Sequence, residues 1–427
     1  MPRYISFPKR LLPNLRQRIS IRCFFLVTCI SLTISVFWIQ FVDKEYLLEV
    51  DESLIQEALE NIARDYRYVN VYRKSDKLPK NIKYILLWTP PEYAPFYFFN
   101  SGQRGFIEKN CSFTNCFVTD NRYFFGYKNI SKFDAIGFNG RNLNYMSRSN
   151  LPQIRYPHQK YIFFNMESAD NYPVCNKIFD DFFNWTATYR LDSDIPFPYI
   201  LAKNAEGEVV GPKQNMNWIE DLETEIDENL LSKLQNKTKA AAWFVSHCYS
   251  RSGRDELVTE LQKSLSRYGL TIDIYGSCGS LTCPRDKKAN CDTILERDYF
   301  FYLSFENSFA EDYVTEKLLT PLDHYVVPIV YGGANYTRFL PPGSYLDARK
   351  YSPSNLAATM VALMKSPRLY RQFFRWRNHY TFHDPSEMEN VCAVCKAVND
   401  VNLMQRRTRY KHFRQWWHPN FNNRCRS

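Results

Sequence analysis

The stretch YFFYLSFENSFAEDYVTEK, residues 299–317, decides the fold. Its first part, YFFYLSF (299–305), is an apolar run that reads as a strand. At Glu306 the polarity changes. The carboxylates Glu306, Glu311, Asp312 and Glu316 follow within a few residues, with Asn307, Tyr313 and Lys317 among them. Thr315 is placed to begin a helix over Glu316–Tyr325, and VVPIVYGG (326–333) follows as the next strand. In an open α/β sheet, ligands sit beyond the carboxyl ends of strands, against helix N-termini. There Lys317 adds positive charge for an anion, while Glu316 can accept hydrogen bonds from sugar hydroxyls. An acid beside a base at such a place suits a phosphate-linked sugar.

The same alternation extends upstream. AAWFVS (241–246) reads as a strand, RDELVTELQKSLSRYG (254–269) as an amphipathic helix closed by glycine, and TIDIYG (271–276) as a strand. An earlier series comprises IKYILLWT (82–89), CFVTD (116–120), FDAIGF (133–138) and YIFFNM (161–166). Connections of loop or helix length separate these runs, which suggests parallel strands with crossovers. The polar stretch 214–239 reads as a linker with a helix. With 427 residues, 45% of them hydrophobic, two domains are the natural size. The expected fold class is α/β: two Rossmann-like domains facing across a cleft. One covers 79–213, the other 214–375, and a closing segment runs over 376–427.

The net charge of +10 is concentrated at the ends. Arg3, Lys9, Arg10, Arg16, Arg18 and Arg22 precede the first acidic residue, and RRTRYKHFR lies near the C-terminus. The middle is nearly balanced, which argues against a nucleic-acid groove along the body. Between Arg22 and Asp43 no charge occurs, a length that spans a bilayer as a helix. The basic side comes first, so residues 1–22 read as a cytoplasmic tail, 23–42 as an uncleaved signal-anchor, and 43–78 as a luminal stem. Ten cysteines follow the anchor, an even number in a compartment that permits disulfides. Five glycosylation sequons lie there too, at Asn110, Asn129, Asn184, Asn236 and Asn335.

The set FENS-(x)4-DYVTEK, VVPIVYGG and FLPPGSY closely resembles the signature of the α-1,3-fucosyltransferases. The resemblance continues in FFNMES (163–168), FNWTATYRLDSDIPFPY (183–199), AWFVSHC (242–248) and CAVC (392–395), in collinear order over roughly 80–400. DIYGSCGSLTCPR (273–285) looks most like the invertebrate branch. This resemblance implies an inverting, Golgi type II membrane enzyme of GT-B fold. Its partners would be GDP-β-L-fucose as donor and a GlcNAc-containing glycan as acceptor: core N-glycan, LacdiNAc or lactosamine. No pattern separates these acceptors, and none speaks to oligomeric state.

Fucosyl transfer needs a base for the acceptor hydroxyl and stabilisation of the departing diphosphate. By resemblance the base is Glu167 in FFNMES, projecting from a strand end. Arg254 and Lys317 would neutralise the diphosphate, the arginine by a bidentate grip. Tyr199, Ser246, Tyr302, Asn307, Tyr313 and Glu316 align with donor-site positions. At 247 the family usually has asparagine, whereas this chain has His247, a different shape that charges in mild acid. A catalytically silent luminal protein that binds glycan or nucleotide sugar is therefore the competing reading. Asp192-Ser193-Asp194 resembles a D-x-D metal site, but Arg254 and Lys317 can supply that charge. No cofactor is expected to be obligatory, although Mn²⁺ or Mg²⁺ could stimulate. The resemblance also implies that Cys392 and Cys395 staple the closing segment to the first domain, with Cys111 and Cys116 as candidate partners. The basic, aromatic end HFRQWWHPNFNNRCRS is expected to pack on the body or meet the membrane surface.

Overall fold

The computed structural model describes residues 26–33 and 81–427, except 128, 221, 223–227, 285–287, 386–388 and 427. The chain divides into two units, Met1–Val69 and Asn70–Ser427. In the first, residues 26–33 are helical. The remainder of the expected anchor and the stem lie outside the described residues. Among the described residues no helix is long and apolar enough to cross a membrane.

The second unit holds two parallel sheets. The first is built from β1 (Lys83–Leu87), β2 (Cys116–Thr119), β3 (Ala135–Asn139), β4 (Lys160–Asn165) and β5 (Trp185–Thr188), in the order β2-β1-β3-β4-β5. Every residue of β2 to β5 is buried, as expected where both faces of a parallel sheet are covered. β6 (Leu201–Asn204) and β7 (Val209–Gly211) then leave this sheet. The second parallel sheet has the order β12-β11-β10-β8-β9. Its strands are β8 (Lys239–Phe244), β9 (Ile272–Tyr275), β10 (Tyr299–Phe305), β11 (Val327–Tyr331) and β12 (Leu346–Asp347). β13 (Tyr380–His383) returns to pair antiparallel with β6.

Helices α1 (Arg254–Ser266), α2 (Lys288–Asp298) and α3 (Pro353–Lys365) cover the second sheet. Leu261 and Leu265 of α1 and Leu356 and Met360 of α3 share one core with Trp243, Phe301, Leu303 and Ile329. Leu295 of α2 packs in a separate cluster with Tyr299, Tyr302 and Val326. The strand order places a switch point between β8 and β10. Open α/β sheets bind ligands at the carboxyl ends of strands at such a point, and here Ser252 of the loop after β8 donates to Glu306 O of the loop after β10.

After β13 the chain crosses back to the first sheet. Helix α4 (Glu389–Asn399) buries Val391, Val394 and Val398 against Ile85, Val118 and Ile162. Phe413 and Trp417, both fully buried, close on Phe163 at ring separations of 4.8 and 4.9 Å. Disulfides fix this return at Cys111–Cys392, Cys116–Cys395 and Cys175–Cys425, while Cys248–Cys278 and Cys283–Cys291 tie loops of the second sheet. The helix expected over Glu316–Tyr325 is present in a shorter, mixed form. It is a 3-10 turn, Glu316–Leu318, followed by one α turn, Leu319–Asp323. Pro321 lacks an amide donor, and Tyr325 has φ 40°, so the helix cannot run on.

Cys116–Cys395 closes 279 residues. Cys395→Ser is expected to lower the unfolding free energy by about 2–5 kcal/mol, read from the denaturant midpoint. An unchanged midpoint would mean that the apolar face of α4 holds the closing segment by itself.

Candidate active site

The crevice is organised by a residue to which the sequence assigned no role. Glu306, the first residue past β10, is 1% exposed. A buried carboxylate needs donors, and three groups of the loop's far end turn back to supply them. Thr315 N–H donates at 2.8 Å, and the Thr315 hydroxyl lies 3.0 Å from both carboxylate oxygens. The Lys317 ammonium sits 3.2 Å from Oε2 and donates to Thr315 Oγ1 at 2.7 Å. Glu316 adds a second carboxylate 3.4 Å from the same ammonium. Burial pushes the Glu306 carboxyl above its ordinary range, and Lys317 pulls against that shift. For Lys317, burial would lower the ammonium, but Glu306 and Glu316 outweigh it and hold it above its ordinary value.

The loop 307–314 is thereby closed on itself. Asp312 takes a left-handed conformation (φ 56°), pairs with Arg338 at 2.7 Å and accepts from the Leu191 N–H of the first half. Ser308 donates to Ser168, both fully buried, and joins the halves a second time. The Tyr313 ring meets Tyr189 edge-on at 4.9 Å and Tyr199 at 6.3 Å.

From the first half, Glu167 stands on the turn after β4. Its N–H is held by Asn165 Oδ1 at 2.9 Å, and the residue is half-buried. Tyr199 donates to Met166 O at 2.5 Å, so its ring lies under the same turn. Burial raises the hydroxyls of Tyr199 and Tyr313 well above the usual tyrosine value. The fields of Glu167, Glu306 and Glu316 push both further. Carboxylates from the two halves thus converge on two adjacent tyrosines. Glu167, Glu306 and Glu316 all act on the hydroxyls of Tyr199 and Tyr313.

Arg254 stands at the same place. It is 2% exposed and follows Gly253, whose φ of 68° turns the chain into α1. Its Nη1 donates to Phe305 O at 2.7 Å and its Nη2 to His247 O at 2.6 Å. The fork thereby ties the ends of β8 and β10 together. Its Nε is buried without a partner. Ser246 and His247 lie exposed on the loop after β8, and half-buried Asn307 follows Glu306. Tyr302 feels the Glu316 carboxylate from beneath the loop. It is 3% exposed, and its ring packs edge-on against Phe244 at 5.4 Å in the α2 layer.

The D-x-D residues are committed elsewhere. Asp192 binds Arg190 at 2.7 Å and the Trp416 indole at 2.9 Å, and Asp194 accepts from Thr186 N and the Tyr410 hydroxyl. They clasp the closing segment. Among the described residues no cluster of three or more His, Cys, Asp or Glu side chains could hold a metal. Asn110, Asn236 and Asn335 are exposed and Asn129 is half-buried. Asn184 corrects the sequon reading. It is 8% exposed, its amide donates to Thr408 O at 2.9 Å, and its oxygen accepts from Tyr161 N and Arg155. Attachment of a glycan would break the bond from its amide.

Residues 80–200 match the model of the fucosyltransferase N-terminal domain. Residues 234–416 match that of the C-terminal domain of glycosyltransferase family 10 (fucosyltransferase). The chain belongs to this family of glycosyltransferases. It is similar to α-(1,3)-fucosyltransferase C of Drosophila melanogaster, 37% identical over 75% of this chain and 72% of that protein. It is also similar to α-(1,3)-fucosyltransferase fut-1 of Caenorhabditis elegans, 33% identical over 57% and 54% respectively. A crystal structure titled α1,3-fucosyltransferase with GDP-fucose aligns with a TM-score of 0.45 at 14% identity, over 81% of this chain and 97% of the other.

Two outcomes follow from this geometry. Glu306→Ala strands a partly buried ammonium and the Thr315 donors. It is expected to cost about 2–3 kcal/mol of stability by denaturant unfolding and to raise the donor KM; wild-type values for both would remove Glu306 from the centre of the site. Asn184→Gln should leave the mass of the secreted glycoprotein unchanged after correction for the substitution, whereas loss of one glycan mass would show that Asn184 is modified.

Proposed function

We propose that the protein transfers L-fucose from GDP-β-L-fucose to a GlcNAc hydroxyl of a glycan, in α-1,3 linkage with inversion. Glu167 takes the proton of the acceptor hydroxyl as its oxygen bonds to the anomeric carbon. The bond from that carbon to the diphosphate breaks, and GDP leaves with the electron pair. Lys317 lies where that charge develops, and Arg254 adds its field while holding the two strand ends in register. Glu316, Asn307 and Tyr313 serve the sugar and ribose hydroxyls. On this reading the two cations perform the task that a metal performs in D-x-D enzymes. No cofactor is obligatory, and Mn²⁺ or Mg²⁺ would at most stimulate.

The supporting observation is the meeting of Glu167 from β4 with the Glu306–Lys317 loop from β10 around Tyr199 and Tyr313. The silent-protein reading rested on His247. The Arg254 anchor uses the main-chain carbonyl of that residue, so a histidine side chain leaves the anchor intact. The two parallel sheets suit a GT-B enzyme. The uncharged run 23–42, flanked by basic residues on its amino side, supports a Golgi type II anchor with a luminal catalytic unit.

Glu167→Gln is expected to lower turnover by about a hundredfold to ten-thousandfold, with GDP affinity by calorimetry nearly unchanged. Transfer at the wild-type rate would assign the base elsewhere. A panel of core N-glycan, LacdiNAc and lactosamine acceptors with radiolabelled fucose identifies the acceptor. No product on any GlcNAc acceptor would instead favour the silent reading.

A further inference from the structure

At the amino end of the first sheet, away from the site just described, lies a cavity of about 930 Å³. Arg155 and Lys160 line it from the β4 side, and Arg407, Arg409 and Lys411 line it from the closing segment. Asp181 is the only carboxylate in its wall, and it pairs with Arg409 at 3.2 Å. Five cations thus face one anion in a concave space.

These cations are not a casual surface scatter. Lys160 is 3% exposed, and its ammonium has one acceptor, Arg406 O at 2.6 Å. Burial lowers its affinity for the proton; the more distant Asp194 opposes that shift, and Arg155 adds to it. The Arg155 guanidinium lies over the Tyr161 ring at 4.1 Å and donates to Phe182 O and Asn184. Burial lowers its ordinary value too, and the nearby Arg409 guanidinium lowers it further. Like charges crowded without counter-charge are a standing electrostatic cost, relieved by an anion. Arg407 and Lys411 are exposed at the rim.

The shape narrows the class of anion. A concave groove does not match the plane of a membrane. An acidic peptide would be expected to add as a strand at the β5 edge, but that edge is occupied. Ile195 N donates to Thr186 O and Phe197 N to Thr188 O, and just before the strand Tyr410 N donates to Phe183 O. Recognition is left to side chains, and guanidinium and ammonium groups suit sulfate oxygens spaced along a rod.

We propose that this groove is an exosite for a sulfated glycan chain. β4 runs from Lys160, in the groove, to Asn165, just before Glu167. At about 3.3 Å per residue the two ends lie roughly 17 Å apart, so a chain in the groove leaves the transfer site open. The exosite would hold the enzyme on sulfated glycoconjugates while transfer proceeds at the other end of the strand.

The test uses the full chain in detergent and a fluorescent heparin octasaccharide, read by anisotropy. Wild-type protein is expected to bind with an affinity that falls steeply with salt. The rim variant Arg407→Glu/Lys411→Glu should lose at least tenfold in affinity while fucosyl transfer to a small GlcNAc acceptor is unchanged. Reversal of Lys365 and Arg368, which do not line the groove, should leave the affinity intact. An unweakened rim variant, or equal binding of desulfated heparin, overturns the proposal. So does tighter binding of polyglutamate of matched charge, which would assign the groove to acidic peptides. Competition by anionic vesicles that is lost in the rim variant would make it a membrane face, and also overturns the proposal. Failure of transfer in all proteins would bear on the proposed reaction and leave the binding result standing.

Discussion

A carboxylate with almost no exposed surface cannot be left alone, and Glu306 is such a group. Its placement at the end of β10 obliges the chain to bring back Thr315 and Lys317. Everything between them is shaped by that closure. Tyr313 is turned toward the first half, Asp312 is forced into a left-handed turn, and Glu316 is set beside the ammonium. Because Lys317 is held above its ordinary value, its contribution to stability is complete below that value and is lost only as strongly alkaline pH is approached. The Lys317 ammonium keeps its charge through neutral and mildly acidic conditions.

The second constraint is the return of the chain. A cleft between two sheets works only if the halves keep their distance, and here the final segment is shared between them. β13 pairs with β6, α4 packs on the first sheet under two disulfides, and Phe413 with Trp417 covers Phe163. The Ser168–Ser308 contact then sets the halves together one residue from Glu167. Glu167 and Lys317, the base and the phosphate-facing lysine of the proposed reaction, thus owe their placement to residues far along the chain. The acidic pair at 192 and 194 belongs to this clasp as well.

Much of the fold was legible because parallel strands buried on both faces leave unmistakable apolar runs. The strands expected near 82–89, 116–120, 133–138, 161–166, 241–246, 271–276 and 299–305 all occur, within a residue or two at their ends. The short pieces escaped notice: β5, β6, β7, β12 and β13 are two to four residues long and carry no period of their own. At the site, residue type was a good guide to location and a poorer one to task. Arg254 was placed correctly near the strand ends, yet main-chain carbonyls take its fork. Tyr302 illustrates the limit, since an aromatic in a doubly covered strand can face either layer and sequence does not say which.

The order of apolar runs, the polar break at Glu306, the even set of cysteines after residue 43 and the family signature are local properties of the chain. Each is readable because it rests on neighbouring residues. Which side chains meet is not local. Ser308 finds Ser168, Asp312 finds Leu191, Asn184 is sealed under Thr408, and Lys160 ends beneath the arginines of the closing segment. These pairs are separated by more than a hundred residues. Only the packing of one sheet's loops on the other, with the closing segment laid across, brings them within bonding distance.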